Sequence, residues 1–202
     1  MKIDRVQAVR KAVLLGGLVA GVALVAVTES IYPTGGRAHE TIEWVGIVLI
    51  VTCILGRTWA SLYIGGRKIN SLVENGPYSV SRNPLYFFSV LGAAGVGAQV
   101  GSITLALACA AIAALVFAVV VVQEERVLRE HHGAAFAEYS ARVPRFLPNL
   151  RLWRDSRTLT VHQLRVVRTF ADALIFLLSV PAAELIEMLQ EGGYLPILLR
   201  LP

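Results

Sequence analysis

Residues 83–123 read NPLYFFSVLGAAGVGAQVGSITLALACAAIAALVFAVVVVQ and contain no charged residue. A single helix of this length would be about twice as long as the roughly 30 Å hydrocarbon core of a bilayer. Small and polar residues that favour a turn lie near its middle, namely Gly95, Gly97, Gln99, Gly101 and Ser102. The stretch therefore predicts two short membrane helices joined by a tight hairpin on the outer side.

Two more apolar stretches precede this hairpin. Residues 12–28 carry no charge and follow a basic start, which predicts a first span, with a cleaved signal peptide as the alternative. A loop over 29–43 leads to a second span over 44–64. Arg57 interrupts this span, and we expect its guanidinium to reach the lipid headgroups, although a charge within a membrane can also mark function.

The basic residues indicate the orientation. They lie before the first span, between the second and third, and after the fourth, whereas Arg37 is the single basic residue of the predicted outer loops. The positive-inside rule then places the N-terminus and the polar segments in the cytoplasm. We expect an integral protein of the cell inner or cytoplasmic membrane, or of an endomembrane in a eukaryote.

The composition agrees with a membrane protein. The chain is 55% hydrophobic and 16% charged, with a mean hydropathy of +0.62. Its net charge of +5 does not form a stripe interleaved with aromatic residues, so we expect no nucleic-acid partner. We predict one membrane-embedded domain over 1–202, with a core over 62–148 and a helical extension over 149–202.

The predicted fold class is all-α: a polytopic transmembrane helical bundle of four spans. A C-terminal element over 162–190 is added as an interfacial, re-entrant or fifth membrane helix, because charges and Pro181 interrupt it. Gly133 is expected to end the helix that follows the hairpin. Cys53 and Cys109 suit packing, and the adjacent His131 and His132 lack metal-ligand spacing, so we predict no metal site.

The hairpin also brings polar residues together. Its two ends return to one interface, which makes Arg82 and Glu124 neighbours. Asn83 suits the cap of the third helix and Pro84 its first position, so that free N–H groups there attract an anion. Glu124 and Glu125 suit an amine, while Tyr78 and Tyr86 suit a cationic or aromatic group. Such a set fits a zwitterionic cofactor.

The segments GPYSVSRNPLY (76–86) and EERVLREHHGAAFAEYSARVPRFLP (124–148), in this order around the hairpin, resemble the isoprenylcysteine carboxyl methyltransferase and phospholipid methyltransferase superfamily. The resemblance implies binding of S-adenosylmethionine between helix ends. It assigns that role to Asn70, Ser71, Leu72, Val73, Tyr78, Asn83, Pro84, Leu85, Tyr86 and Glu124. It implies catalytic parts for Arg82, Glu125 and Arg145, with Tyr139 and Pro148 in the closing block.

The expected reaction is methyl transfer to a lipophilic acceptor that enters from the bilayer, with S-adenosylhomocysteine as the product. The acceptor could be an isoprenylcysteine-like carboxylate, a phospholipid amine or another small lipid. Glu125 is the candidate base for an amine acceptor. Asn83 replaces the usual histidine of the superfamily, and Val120 replaces an arginine of the prenylcysteine enzymes. An NADPH-dependent enzyme similar to sterol reductases and a non-catalytic scaffold or lipid-binding protein are the alternatives.

Overall fold

A computed structural model describes residue 21, residues 23–64 and residues 72–202 of the chain. Its regular structure is almost entirely helical. The helices are α1 (Arg37–Ile64), α2 (Pro77–Val80), α3 (Pro84–Ala98), α4 (Ile103–Arg142), α5 (Gln163–Leu174) and α6 (Ser179–Glu191). Two strands of three residues, β1 (Thr28–Ser30) and β2 (Leu199–Leu201), pair in parallel. The predicted all-α class is confirmed.

Three helical segments in the described part of the chain are long and apolar enough to cross a membrane. They are α1, α4 and the continuous segment Gln163–Glu191, and α3 is a shorter apolar helix. The chain is thus an integral membrane protein. The first predicted span, over 12–28, lies mostly outside the described residues, so the number of spans stays a prediction.

Helix α1 begins earlier than the sequence suggested. We expected a loop up to residue 43, whereas α1 starts at Arg37, directly after the turn at Gly35 and Gly36. The N–H of Glu40 donates to the carbonyl of Gly36 at 3.0 Å, and the Thr41 hydroxyl donates to the Arg37 carbonyl at 2.7 Å. The hydropathy pattern marks only the apolar part of a helix, and a polar first turn does not alter it.

The predicted turn between the two helices is confirmed, while its place on the outer side stays a prediction. Helix α3 ends at Ala98 and α4 begins at Ile103, so the turn falls within the cluster of small and polar residues. Helix α4 is interrupted at Gly133, whose φ of 50° and ψ of −118° are non-helical. Glycine adopts a positive φ without the steric cost that a Cβ imposes. The helix end predicted at this residue is therefore a kink within α4.

The C-terminal element is helical on both sides of a short irregularity. A 3-10 segment, Ile175–Leu178, separates α5 from α6. Pro181 does not break the helix, because it lies in the first turn of α6, where a missing N–H costs no intrahelical bond. The segment Gln163–Glu191 is long enough to span a membrane, while the interfacial and re-entrant arrangements stay open.

The chain divides into two compact units. The first contains Met1–Thr52, Val90–Phe117 and Ile175–Pro202, and the second contains Cys53–Ser89 and Ala118–Leu174. In the first unit a buried cluster forms around Val25, Val100, Leu105, Cys109 and Ala183. The paired strands lie in the same unit. The sequence did not predict this pairing, because the partners are separated by almost the whole chain.

The second unit contains the segments of the superfamily pattern. One buried cluster joins Ala60 and Tyr63 of α1 to Tyr78 of α2. Another joins Phe136, Tyr139 and Val143, after the kink of α4. Between these two clusters the polar residues of the predicted site come together.

Candidate active site

A cleft of about 500 Å³, counting space open to solvent, lies within the second unit. Its lining is a mixture of aliphatic, aromatic and ionisable side chains: Ile64, Leu72, Val73, Tyr78, Arg82, Asn83, Leu85, Tyr86, Glu124, Leu128 and Tyr139. The mainly apolar lining with a few polar groups is typical of small-molecule sites.

One wall of the cleft forms where the start of α3 meets α4. The Tyr86 hydroxyl donates a hydrogen bond to Oε1 of Glu124 at 2.9 Å. The two residues lie near opposite ends of the uncharged stretch, so this bond confirms that the hairpin brings its ends together. Leu128 follows Glu124 by four residues and lies on the same face of α4, where it extends the wall with an apolar surface.

Tyr78 contributes an unpaired polar group. Its side chain is 4% exposed, and its hydroxyl has no hydrogen-bond partner among the described residues. Burial raises the pKa of Tyr78 well above its ordinary value, with smaller contributions from Tyr139 and Glu124. The hydroxyl therefore stays protonated. A buried polar group without a partner is costly, and one that lines a cleft is available to a ligand.

Arg82, Glu125 and Arg145 form an ion-pair network. Glu125 is nearly buried and accepts from Nη1 of Arg82 at 3.0 Å and from Nη2 of Arg145 at 2.9 Å. Burial lowers the pKa of Arg82, although the charge of Glu125 opposes this effect. Arg82 lines the cleft, whereas Glu125 and Arg145 do not. The geometry gives Glu125 the position of a group that holds Arg82 in place.

The backbone near Arg82 is held by the closing block of the superfamily pattern. The N–H of Arg82 donates to the carbonyl of Pro144, and the N–H of Asn149 donates to the carbonyl of Val80, both at 2.9 Å. The Tyr139 hydroxyl donates to the carbonyl of Tyr78 at 2.8 Å. These bonds explain why two segments that are far apart in sequence form one site.

The start of α3 offers fewer free donors than expected. Helix α3 begins at Pro84 after Asn83, as predicted. The N–H groups of Tyr86 and Phe87 both donate to the Asn83 carbonyl at 3.1 Å, and Pro84 has no N–H. The Asn83 side chain donates to the carbonyl of Arg145 at 3.1 Å. Side chains are consequently more important to this site than the helix end.

Arg57 also differs from the expectation of a plain headgroup anchor. Its guanidinium donates to the hydroxyl of Ser89 on α3. Ser89 is buried, so this contact is made inside the second unit. Position along a helix suggested the anchor, but only the packing of α1 against α3 identifies the partner.

Most of the predicted residues line the cleft, and the following do so: Leu72, Val73, Tyr78, Arg82, Asn83, Leu85, Tyr86 and Glu124. Pro84 begins α3 without lining the cleft, and Asn70 and Ser71 lie outside the described residues. The predicted catalytic parts of Arg82, Glu125 and Arg145 stay predictions. Ile64, Leu128 and Tyr139 were not among the predicted site residues. Helical spacing from Glu124 could have identified Leu128.

Comparisons with known proteins agree with this arrangement. The profile of the phospholipid methyltransferase family matches residues 41–135. The chain is 37% identical over 158 residues to the nickel-cobalt-cadmium resistance protein NccN of Alcaligenes xylosoxydans xylosoxydans, covering 78% of this chain and 74% of that protein. It is 38% identical over 150 residues to the cobalt-zinc-cadmium resistance protein CzcN of Cupriavidus metallidurans, covering 74% and 69%. No solved structure matches the chain significantly.

Proposed function

We propose that this chain, which belongs to the phospholipid methyltransferase family, transfers a methyl group from S-adenosylmethionine to a lipophilic acceptor. The observation that carries the proposal is the cleft of the second unit. It combines a carboxylate, a buried unpaired hydroxyl and an apolar wall in a protein whose long helices suit a membrane.

The residues of the cleft fit the cofactor. We assign Glu124 to its ammonium group, because a carboxylate makes a strong charge-assisted bond to such a cation. Arg82, whose buried Nε has no hydrogen-bond partner among the described residues, suits the cofactor carboxylate. Tyr78 offers its hydroxyl to a further polar group. When bound, S-adenosylmethionine supplies a methyl group already activated by a sulfonium.

The protein's own contribution is mainly alignment and exclusion of water. Ile64, Leu85 and Leu128 give the cleft an apolar side that suits an acyl or prenyl chain. Alignment of two reactants in a shielded site can account for a large part of a rate enhancement. We assign Glu125 to positioning, since both of its oxygens accept from arginines. An amine acceptor would then have to enter unprotonated or lose its proton to another group.

We further propose that the cleft faces the cytoplasm of a cell inner membrane, or of an endomembrane in a eukaryote. The basic segments of the chain flank the ends of the helices that form the cleft. The water-soluble cofactor would enter from this side and the lipid from the bilayer. Labelling of single cysteines introduced at Arg126 and Thr34 with a membrane-impermeant reagent tests this orientation.

Two measurements test the reaction. Purified protein in detergent should bind S-adenosylhomocysteine saturably in isothermal titration, and membranes given a radiolabelled methyl donor should yield labelled lipid on extraction. The absence of any cofactor binding by folded protein would overturn the proposal. Binding without label transfer to any lipid would favour a non-catalytic protein, and oxidation of NADPH would favour the reductase alternative.

A second candidate role follows from the relatives, both of which are named as metal-resistance proteins. We propose that lipid methylation by this chain contributes to tolerance of divalent transition metals, through a change in headgroup charge or packing. Cells that lack the protein should then grow less well in the presence of nickel, cobalt, zinc or cadmium salts. Complementation with a Glu124→Gln variant should fail if methyl transfer is the cause, and full rescue by it would contradict the link.

A further inference from the structure

A cluster of potential metal ligands lies in the first unit, and the proposed methyl transfer does not use it. His39 and Glu43 are one helical turn apart in α1, and Glu187 comes from α6. Nε2 of His39 lies 3.2 Å from Oε1 of Glu43 and 3.4 Å from Oε1 of Glu187. The ligand atoms all lie within 4.8 Å of one another.

Hydrogen bonding alone does not account for this cluster. His39 is 3% exposed, yet neither ring nitrogen has a hydrogen-bond partner among the described residues. Oε1 of Glu187 is also buried without a partner. Both glutamate oxygens approach one nitrogen, which carries at most one proton. An ion bound to Nε2 of His39 and to both carboxylates would give Nε2 and the Glu187 oxygen the partner that they lack.

The spacing suits a small divalent cation. Tetrahedral coordination with bonds of about 2.0–2.1 Å places ligand atoms about 3.3–3.4 Å apart. The two distances from His39 Nε2 agree with this edge length. Glu43 and Glu187 are only partly buried, so a rotation of their carboxylates can bring their oxygens closer together.

The composition of the cluster also suits a cation. Two carboxylates lie beside a single imidazole, and a divalent ion would balance the charge of two ionised carboxylates. The other basic residues that the structure describes in this unit do not supply this charge, because Arg37 is exposed and Arg200 pairs with Glu29 at 2.8 Å.

The imidazole is held in place by the turn between α3 and α4. Gly101 has a φ of +63°, and a Cβ at this residue would lie 2.1 Å from Nδ1 of His39. The backbone of the turn thus packs directly against the ring. A ligand that is already positioned in this way loses little freedom when an ion binds.

We propose that His39, Glu43 and Glu187 bind a divalent transition metal ion, with Zn²⁺ and Co²⁺ as the best matches. One imidazole and two carboxylates, with no thiolate, favour these ions over Cu(I). Three protein ligands leave at least one position for water, which is typical of an exchangeable site. The ion would tie α1 to α6 within the first unit.

The test uses the full chain in detergent after treatment with a chelator. Titration with CoCl₂ should produce the visible absorption of four-coordinate Co²⁺, saturating at one equivalent, and ZnCl₂ should displace it. Glu43→Gln and Glu187→Gln keep the shape of the side chain and should each weaken binding at least about 10-fold, since even outer-shell changes cost 10- to 100-fold.

Matched controls share the same helices. Glu40→Gln in α1 and Glu184→Gln in α6 remove exposed carboxylates and should leave the affinity unchanged. Circular dichroism and the elution profile show whether each variant is folded. Absence of saturable metal binding by folded protein would mean an ion pair only and would overturn the proposal. Equal loss in the control variants would do the same. Neither outcome depends on methyl transfer.

Discussion

The adjacent glutamates 124 and 125 should respond to the same isosteric change in different ways. Glu125→Gln removes the charge that binds two arginines. The Glu125 side chain is 6% exposed and that of Arg82 13%, whereas that of Arg145 is 45% exposed. Removal of one partner from a buried pair costs about 3–5 kcal/mol, and an exposed pair contributes about 1 kcal/mol or less. Because the amide still accepts one bond, we expect a loss of about 3 kcal/mol.

For a chain of this length, a loss of about 3 kcal/mol corresponds to a fall in Tm of roughly 6–12 °C. Glu124→Gln keeps an oxygen that accepts from the Tyr86 hydroxyl, so it should lower Tm less than Glu125→Gln does. It should weaken binding of S-adenosylhomocysteine roughly 10- to 150-fold, which is the range for a lost bond of about 1.5–3 kcal/mol to a charged group.

Thermal unfolding in detergent at a fixed scan rate gives the first quantity, and isothermal titration gives the second. Both variants are compared with the unchanged chain in the same detergent and at the same protein concentration. The reasoning would be refuted if Glu125→Gln unfolded at the unchanged temperature but lost cofactor binding, while Glu124→Gln unfolded early. Such a result would assign cofactor binding to Glu125 and the structural role to Glu124.

Tyr86→Phe removes the hydroxyl that donates to Glu124. Because such a bond contributes about 1 kcal/mol, isothermal titration should show about five-fold weaker binding of S-adenosylhomocysteine. An unchanged affinity would contradict the proposed wall of the cleft. The pKa of Tyr78 is raised in the folded chain, so folding favours the protonated hydroxyl. The stability that this preference gives is fully present below the unfolded-state pKa of about 10, and it is lost as the pH rises towards the folded-state pKa. Tyr78→Phe should therefore make the decline of Tm above pH 10 shallower, and an equally steep decline would count against this cause. A Cβ at Gly133 would meet no atom within 4 Å, but the residue has a φ of +50°, which a side chain disfavours. Gly133→Ala should therefore destabilise the chain by roughly 1–2 kcal/mol in thermal unfolding. A stabilised variant would mean that the kink is not required. Gly101→Ala places a Cβ against His39 and should abolish the Co²⁺ absorption, and retention of the full signal would show that the ring is free to move.

Hydropathy and turn residues were sufficient for the helices because both signals are local. The uncharged stretch 83–123 indicated where α3 begins, and the small residues in its middle set the turn, whereas α4 continues past this stretch to Arg142. Local signals failed where a polar segment was helical, as at the start of α1, and where two distant segments paired, as in β1 and β2.

The site shows the same division. The hairpin topology predicted that Arg82 and Glu124 are neighbours, since both ends of a hairpin return to one interface. Both residues line the cleft, but Arg82 forms its ion pair with the adjacent Glu125. The topology could not distinguish Glu124 from Glu125, because adjacent helical residues point in directions about 100° apart and the neighbours decide which one lines a cleft. Their separate positions depend on the arginines that surround Glu125.

The sequence by itself determined that the chain is a helical membrane protein with a charged rim beside a long apolar hairpin. Those features follow from the hydrophobicity of the side chains and from the spacing of apolar residues, and both can be read from each segment by itself. Only the tertiary structure decided which oxygens face arginines, which hydroxyl is left without a partner, and that His39 meets Glu187. These contacts join residues distant in sequence, and their geometry depends on how the helices pack.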